Sequence, residues 1–275
     1  MTVLTEHYTL ANGAPIPKLG FGTWQTPDDV APGAVRVALR VGYRHIDTAR
    51  AYVNESGVGK GVRASGIPRD QIFVTTKVPA EIKTYERAVQ SIKTSLTQLQ
   101  LGPIDLLLIH APKPWPEMFQ PGAKPYFDEN LAVWQAMVEA HERGDVAAIG
   151  VSNFDVDDIE NITSHSGIIP AANQIEFHIG HTQDDIVAYC QAKGILIEAY
   201  SPIGTGELLN NAEIAAVAAG YGKSVAQVCI RYALQKGTLP LPKSVHDEFI
   251  EQNTQVDFEI SDADMAVLDA IEDPE

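Results

Sequence analysis

Short apolar runs with strand character alternate with segments of helical period along the whole chain. The strand-like runs fall at residues 19–22, 44–47, 72–77, 105–110, 146–151, 173–177, 196–200 and 238–242. Between them Val89, Ile92, Leu96 and Leu99 recur at i, i+3, i+7 and i+10, and Leu131, Trp134, Val138 and His141 repeat the spacing. This pattern predicts helices with one buried face. Regular alternation of strand and helix points to a parallel sheet. Eight such units in 275 residues match a closed (β/α)8 TIM barrel forming one domain over residues 1–275. An open doubly wound sheet would more often need fewer strands or a second domain.

Two further segments flank the repeat. Tyr8 to Gly13 reads as a strand ending in an Asn-Gly turn, hence an N-terminal β-hairpin placed to plug the bottom of the barrel. Ser261-Asp262-Ala263-Asp264 reads as a helix start, with Met265, Leu268 and Ile271 following on one face.

Composition narrows the function classes. Lys and Arg total 20 against 36 Asp and Glu, for a formal charge of −16. That balance excludes the basic footprint nucleic acid requires and favours a well-separated monomer. The first residues show no basic region followed by an apolar run, and no stretch approaches bilayer-spanning length. A cytoplasmic protein without membrane partners is expected. The two cysteines, Cys190 and Cys229, read as reduced core thiols. No His/Cys pair at ligand spacing suggests a metal.

In a barrel of this kind the chemistry sits at the C-terminal ends of the strands. There Asp47 closes one predicted strand, Lys77 the next and His110 the one after, while Tyr52 follows Asp47 by five residues. Four ionisable groups are thus expected at one mouth. The set suits acid-assisted reduction of a carbonyl. A lysine beside a phenol is expected to lower its pKa, and a carboxylate keeps the lysine charged and positioned. A neutral His110 would orient the carbonyl and bear developing charge. Hydride must come from a cofactor. His45, His141, His165 and His178 lack comparable partners and are read as structural.

These residues, with Pro17 to Trp24, Gly42 to Ala49, Asn54, Glu55, Thr75 to Lys77, Ile149 to Phe154, Gln174, Glu176, Ala199 to Pro202 and Pro242 to Ser244, resemble the aldo-keto reductase family. Within it the chain is most similar to the bacterial group that includes 2,5-diketo-gluconate reductases. The resemblance implies Tyr52 as general acid, with Asp47, Lys77 and His110 as partners. It implies NADPH as cofactor; NADH enters as a second coenzyme only through the departure at Phe249 described below. Ser152, Asn153 and Gln174 would bind the nicotinamide carboxamide, and Tyr200, followed by Ser201, would stack on its ring. Lys243 and Ser244 would hold the adenosine 2′-phosphate, with Phe249 and Asn253 also at the cofactor. The partner is then a small-molecule carbonyl: a keto sugar acid, a methylglyoxal-like dicarbonyl or an aromatic carbonyl.

Three features depart from the common family pattern. Phe249 and Gln252 stand where arginine and glutamate are usual, which narrows the expected preference for NADPH. Ala111 replaces a tryptophan after His110, and few residues follow Ile271; a wider pocket lined by Trp24, Ala111 and Trp115 is expected, with Lys113 and Lys124 favouring anionic substrates. Two other readings are a regulatory barrel that binds coenzyme with little turnover and a Schiff-base aldolase using Lys77 as nucleophile.

Overall fold

The computed structural model describes residues 2–272. The predicted hairpin is present: β1 (His7–Thr9) and β2 (Pro15–Pro17) run antiparallel with Tyr8 opposite Ile16. Eight parallel strands follow in sequence order: β3 (Phe21–Gly22), β4 (His45–Asp47), β5 (Phe73–Val78), β6 (Ile104–Ile109), β7 (Val146–Ser152), β8 (Ala172–Glu176), β9 (Leu196–Tyr200) and β10 (Leu239–Leu241). The amides of Gly20 and Gly22 donate to the carbonyls of Pro240 and Pro242 at 3.1 and 3.0 Å, joining the first barrel strand to the last. Glycine is required at this seam, because a Cβ on Gly20 would lie 2.4 Å from a Leu241 methyl and 2.6 Å from the His45 ring.

The helices are α1 (Ala31–Val41), α2 (Glu55–Arg63), α3 (Tyr85–Leu99), α4 (Trp115–Met118), α5 (Phe127–Glu142), α6 (Val156–Ser166), α7 (Asp184–Lys193), α8 (Ala212–Tyr221), α9 (Val225–Gln235), α10 (Asp247–Gln252) and α11 (Asp262–Asp269). Successive strand residues face opposite sides, which divides the core in two. Leu106, Leu108, Ala148, Ala172, Leu239 and Leu241 fill the barrel together with Leu10 and Ile16 of the hairpin. Their alternates, such as Leu107, Ile109, Ile149, Val151 and Ile197, pack outward into the helical layer. The hairpin is a plug in this sense, fastened by Tyr8 Oη to the Thr238 carbonyl at 3.2 Å and by Asn12 Nδ2 to the Ala147 carbonyl at 3.1 Å.

One helix differs from its predicted face. In α5 the buried stripe runs through Val133, Trp134, Met137 and Ala140, while His141 is exposed and its Nδ1 lies 2.9 Å from the Val146 carbonyl. Small alanines widen the buried face of α5 toward residues that a count of large apolar side chains passes over. The last helix follows expectation: Ser261 caps α11 by accepting from the Asp264 amide, and Leu268 is buried. No helix among the described residues is long and apolar enough to cross a membrane.

Candidate active site

The inward parity of the strands aims the site. His45 and Asp47 alternate along β4, Thr75 and Lys77 along β5, and Leu106, Leu108 and then His110 along β6 and just beyond it. Lys77 is fully buried and donates to Asp47 Oδ1 at 2.8 Å, Asp47 Oδ2 at 2.7 Å and the Thr48 carbonyl at 2.9 Å. An ammonium has three N–H donors, shared here among the Asp47 carboxylate, the Thr48 carbonyl and the neighbouring Tyr52 phenol. Burial alone would lower the lysine pKa; the Asp47 carboxylate and its hydrogen bonds overcome this and hold it above the ordinary value.

Tyr52 lies in the 3-10 turn Arg50–Tyr52 that follows β4 and keeps part of its surface open at the mouth. Its ring stands edge-on to His110 with centroids 5.5 Å apart, and Lys77 Nζ is 5.3 Å from its centroid. The four predicted groups are therefore together. Their balance differs from expectation in one respect: Tyr52 holds its proton above the ordinary phenol range. Burial is the chief cause, the Lys77 charge opposes it, and Asp47 offsets part of that opposition. Burial, with Lys77 adding to it, pushes the His110 imidazolium down to about 3, so the ring is neutral. Its Nδ1 has no hydrogen-bond partner among the described residues.

Asn54 sets the path of the Tyr52 loop. It accepts from Thr48 Oγ1 at 2.7 Å and donates to the Thr23 and Thr26 carbonyls at 2.9 Å each. Thr23 Oγ1 in turn donates to the Asp47 carbonyl at 2.9 Å, and Thr76 Oγ1 to buried Glu55 at 2.6 Å. Val53, immediately after Tyr52, adopts a left-handed conformation (φ 57°) that a β-branched residue rarely takes.

The residues expected around nicotinamide also converge, at the ends of β7, β8 and β9. Ser152 Oγ donates to the Gln174 carbonyl at 2.8 Å, Asn153 Nδ2 to the His110 carbonyl at 3.0 Å, and Tyr200 Oη to Asn153 Oδ1 at 2.8 Å. Asn153 and Ser201 both take positive φ, 59° and 49°. Across the barrel seam Lys243 borders Gly22, where an added Cβ would lie 3.6 Å from Lys243 Cβ. Ser244 Oγ accepts from the His246 amide at 3.1 Å; Asn253 is buried; Phe249 is exposed, its ring edge-on to His246.

The substrate side departs from the expected picture. Ala111 is fully buried and presents no surface to the mouth; Lys83 Nζ donates to its carbonyl at 3.0 Å. Trp115 stands edge-on to His110 at 5.3 Å and so borders the opening, and Trp24 is 48% exposed. Lys124 is paired with Glu129. A cavity of about 840 Å³ next to Asn153 and Tyr200 is walled by Asp155, Asp157, Asp158, Glu176, Asp184 and Asp185, against Lys113. This acidic groove flanks Asn153 and Tyr200 and does not reach Tyr52, His110, Trp24 or Trp115. No group of three or more His, Cys, Asp or Glu residues among those described could hold a metal ion.

Glu198 escaped the sequence reading, and His45 was read there as structural. Glu198 and His45 are completely buried inside the barrel, with Glu198 Oε2 accepting from Gln174 Nε2 at 2.9 Å. The available signal was parity: each lies two residues before a strand-end site residue, Tyr200 and Asp47.

Comparison with known proteins agrees with this geometry. Residues 18–273 match the Aldo/keto reductase family. Glyoxal reductase of Bacillus subtilis (strain 168) is 39% identical over 272 residues, covering 98% of this chain and 94% of that protein. Among solved structures, the aldo/keto reductase of Brucella melitensis superimposes with a TM-score of 0.90 at 38% identity, covering 98% of each chain. The Bombyx mori aldo-keto reductase in complex with NADP gives 0.85 at 35% identity, covering 96% and 92%. With a matching family over almost its whole length and relatives of this identity, the chain is an oxidoreductase that belongs to the aldo/keto reductase family.

Proposed function

We propose that the protein reduces aldehydes and ketones to alcohols with NADPH, Tyr52 supplying the proton. The observation that carries this reading is the meeting of Tyr52, His110 and the buried Lys77–Asp47 pair at one mouth. The donor set beside it fits a nicotinamide: Ser152, Asn153 and Gln174 offer hydroxyl and amide groups to a carboxamide, and Tyr200 an aromatic face at a strand end. A bound reduced nicotinamide supplies the hydride.

The protein's own groups do the rest. Neutral His110 can donate to a carbonyl oxygen without carrying a charge of its own, which orients the substrate. Tyr52 releases its proton to the oxygen as negative charge develops there, and the nearby Lys77 ammonium stabilises the phenolate left behind. Asp47 keeps that ammonium charged in a dry site. The same bonds disfavour the aldolase reading, since Lys77 has no lone pair free for attack.

For the substrate, the 39% identity to the Bacillus subtilis glyoxal reductase supports a small dicarbonyl. The test is Tyr52→Phe, assayed by oxidation of NADPH with a reactive aldehyde. Turnover should fall by at least about 10²–10⁴-fold, with NADPH affinity, read by fluorescence, nearly unchanged. Near-normal turnover would mean that another group supplies the proton.

A further inference from the structure

We propose that Glu198 is a positioning residue for this chemistry: joined to Asp47 through Gln174, it fixes the Gln174 amide and, through its own protonation, sets how strongly Lys77 acts on Tyr52. The proposal rests on the Tyr52 reading above. Glu198 is an inward-facing residue of β9, in register with Gln174 of β8, and has no solvent exposure. Gln174 Nε2 donates to Glu198 Oε2 and to Asp47 Oδ2, both at 2.9 Å. Only the amide nitrogen can serve two carboxyl groups at once, so its orientation is determined and Oε1 is the acceptor left for other partners.

The second Glu198 oxygen makes the carboxyl a proton holder. Oε1 has no hydrogen-bond partner among the described residues, and the nearest imidazole nitrogen, His45 Nε2, is 3.8 Å away and 2.9 Å from Thr75 Oγ1. Burying a carboxylate with half its acceptors empty is costly, and a proton relieves the cost. The groups facing Glu198 are His45 and Asp47 from β4, Thr75 and Lys77 from β5, and Gln174 from β8; β10 pairs alongside with apolar Leu239, Pro240 and Leu241. Burial and the Asp47 charge raise Glu198 to about 7, while Gln174 and Lys77 pull the other way, and His45 is held neutral, at about 3, by burial and Lys77.

When Glu198 loses its proton to solvent, Lys77 faces a second anion besides Asp47. The net positive field at Tyr52 drops, the phenol holds its proton harder, and proton delivery to the substrate slows. Below that transition the site carries one anion per ammonium; above it, two.

The experiment is kcat/KM for aldehyde reduction against pH, for the wild type, Glu198→Gln and Glu198→Leu, with NADPH affinity measured by fluorescence. The wild type should lose about threefold to tenfold as pH rises through neutrality. Glu198→Gln, which keeps an acceptor for Gln174 and cannot ionise, should lack that step and bind NADPH as before. Glu198→Leu removes the acceptor, frees the Gln174 amide to turn, and should weaken NADPH several-fold. The same step in Glu198→Gln overturns the proposal, as does a wild-type profile flat across neutrality, which needs no variant to fold. Tyr52→Phe separates the two readings: full turnover there defeats the proton-donor assignment, whereas a dead Tyr52→Phe with an unaltered Glu198→Gln profile defeats only the role of Glu198.

Discussion

Asn54 donates to the carbonyl of Thr23 at 2.9 Å from 31 residues further along the chain, and so ties the loop bearing Tyr52 to the loop bearing Trp24. Its other bonds, to Thr26 and Thr48, make the side chain a fully buried three-way link. In Asn54→Ala two carbonyls and a hydroxyl lose their partner. Each such loss costs about 1–3 kcal/mol when the group stays dry, and water entering the gap will relieve part of it. A decrease of about 2–4 kcal/mol in unfolding free energy is expected in urea titration, with kcat/KM falling further than stability alone explains. A variant within about 0.5 kcal/mol of the wild type would show that the link is not holding the mouth together.

Two glycines should respond in opposite directions to alanine. At Gly57 in α2 a Cβ would sit 2.1 Å from the Asp28 carbonyl oxygen, a backbone atom that cannot turn aside. Helix α2 must then shift against the loop before α1, at about 1–3 kcal/mol. At Gly220 in α8 nothing lies within 4 Å of an added Cβ. Gly220→Ala should therefore stabilise by about 0.5–1 kcal/mol through helix propensity. Thermal melts of both variants at one pH check the pair, and equal shifts of the same sign would contradict the packing at α2.

Glu198 also links stability to pH. Its carboxyl holds a proton more firmly in the folded chain than the ordinary value of 4.5, up to about 7. The contribution is therefore fully present below the unfolded carboxyl range and is lost as pH rises through about 7. Glu198→Gln removes the titration, so the variant should gain on the wild type by on the order of 3 kcal/mol between acid and mildly alkaline conditions. Asp158, which burial also raises to about 7, titrates in both proteins and cancels in the difference. Denaturant midpoints that run parallel across this range would argue against a neutral Glu198.

The strand positions, and the meeting of Asp47, Lys77, His110 and Tyr52 at one mouth, were legible because an inward strand position is normally apolar, so ionisable groups at successive strand ends stand out. Glu198 and His45 obey the same parity but sit below the rim, where a polar residue has no obvious purpose until its partner across the barrel is known. Ala111 was misjudged for another reason. It lies where the chain leaves β6, and which neighbour faces the mouth depends on the path of the loop through Pro112 and Trp115, a tertiary property. The acidity of the groove beside Asn153 and Tyr200 is likewise a sum over the loops after β6, β7 and β8, which no local spacing encodes.

Coenzyme preference gives the last prediction. The loop and helix after β10 hold Lys243 beside the barrel seam, but the first turn of α10 carries Asp247 and Glu248, and Arg40 of α1 is paired with Asp247 at 3.7 Å. Phe249 is 47% exposed, and its edge-on contact with His246 leaves its ring available for stacking on a base. A 2′-phosphate here would meet one ammonium with carboxylates close by, whereas an arginine at this position would add a planar, bidentate charge. A charge-assisted contact contributes about 1.5–3 kcal/mol, or about tenfold to a hundredfold in affinity. NADPH should therefore be preferred by a narrow margin, with NADH a working second coenzyme. Phe249→Arg should tighten NADPH by that factor and leave NADH within about threefold, since NADH has no 2′-phosphate to gain the contact. Lys243→Ala should do the reverse, weakening NADPH and sparing NADH. Dissociation constants for both coenzymes from protein fluorescence, with kcat/KM for one aldehyde, provide the check. A clear NADH preference in the wild type, or an NADPH affinity indifferent to Lys243→Ala, would place the 2′-phosphate away from this helix.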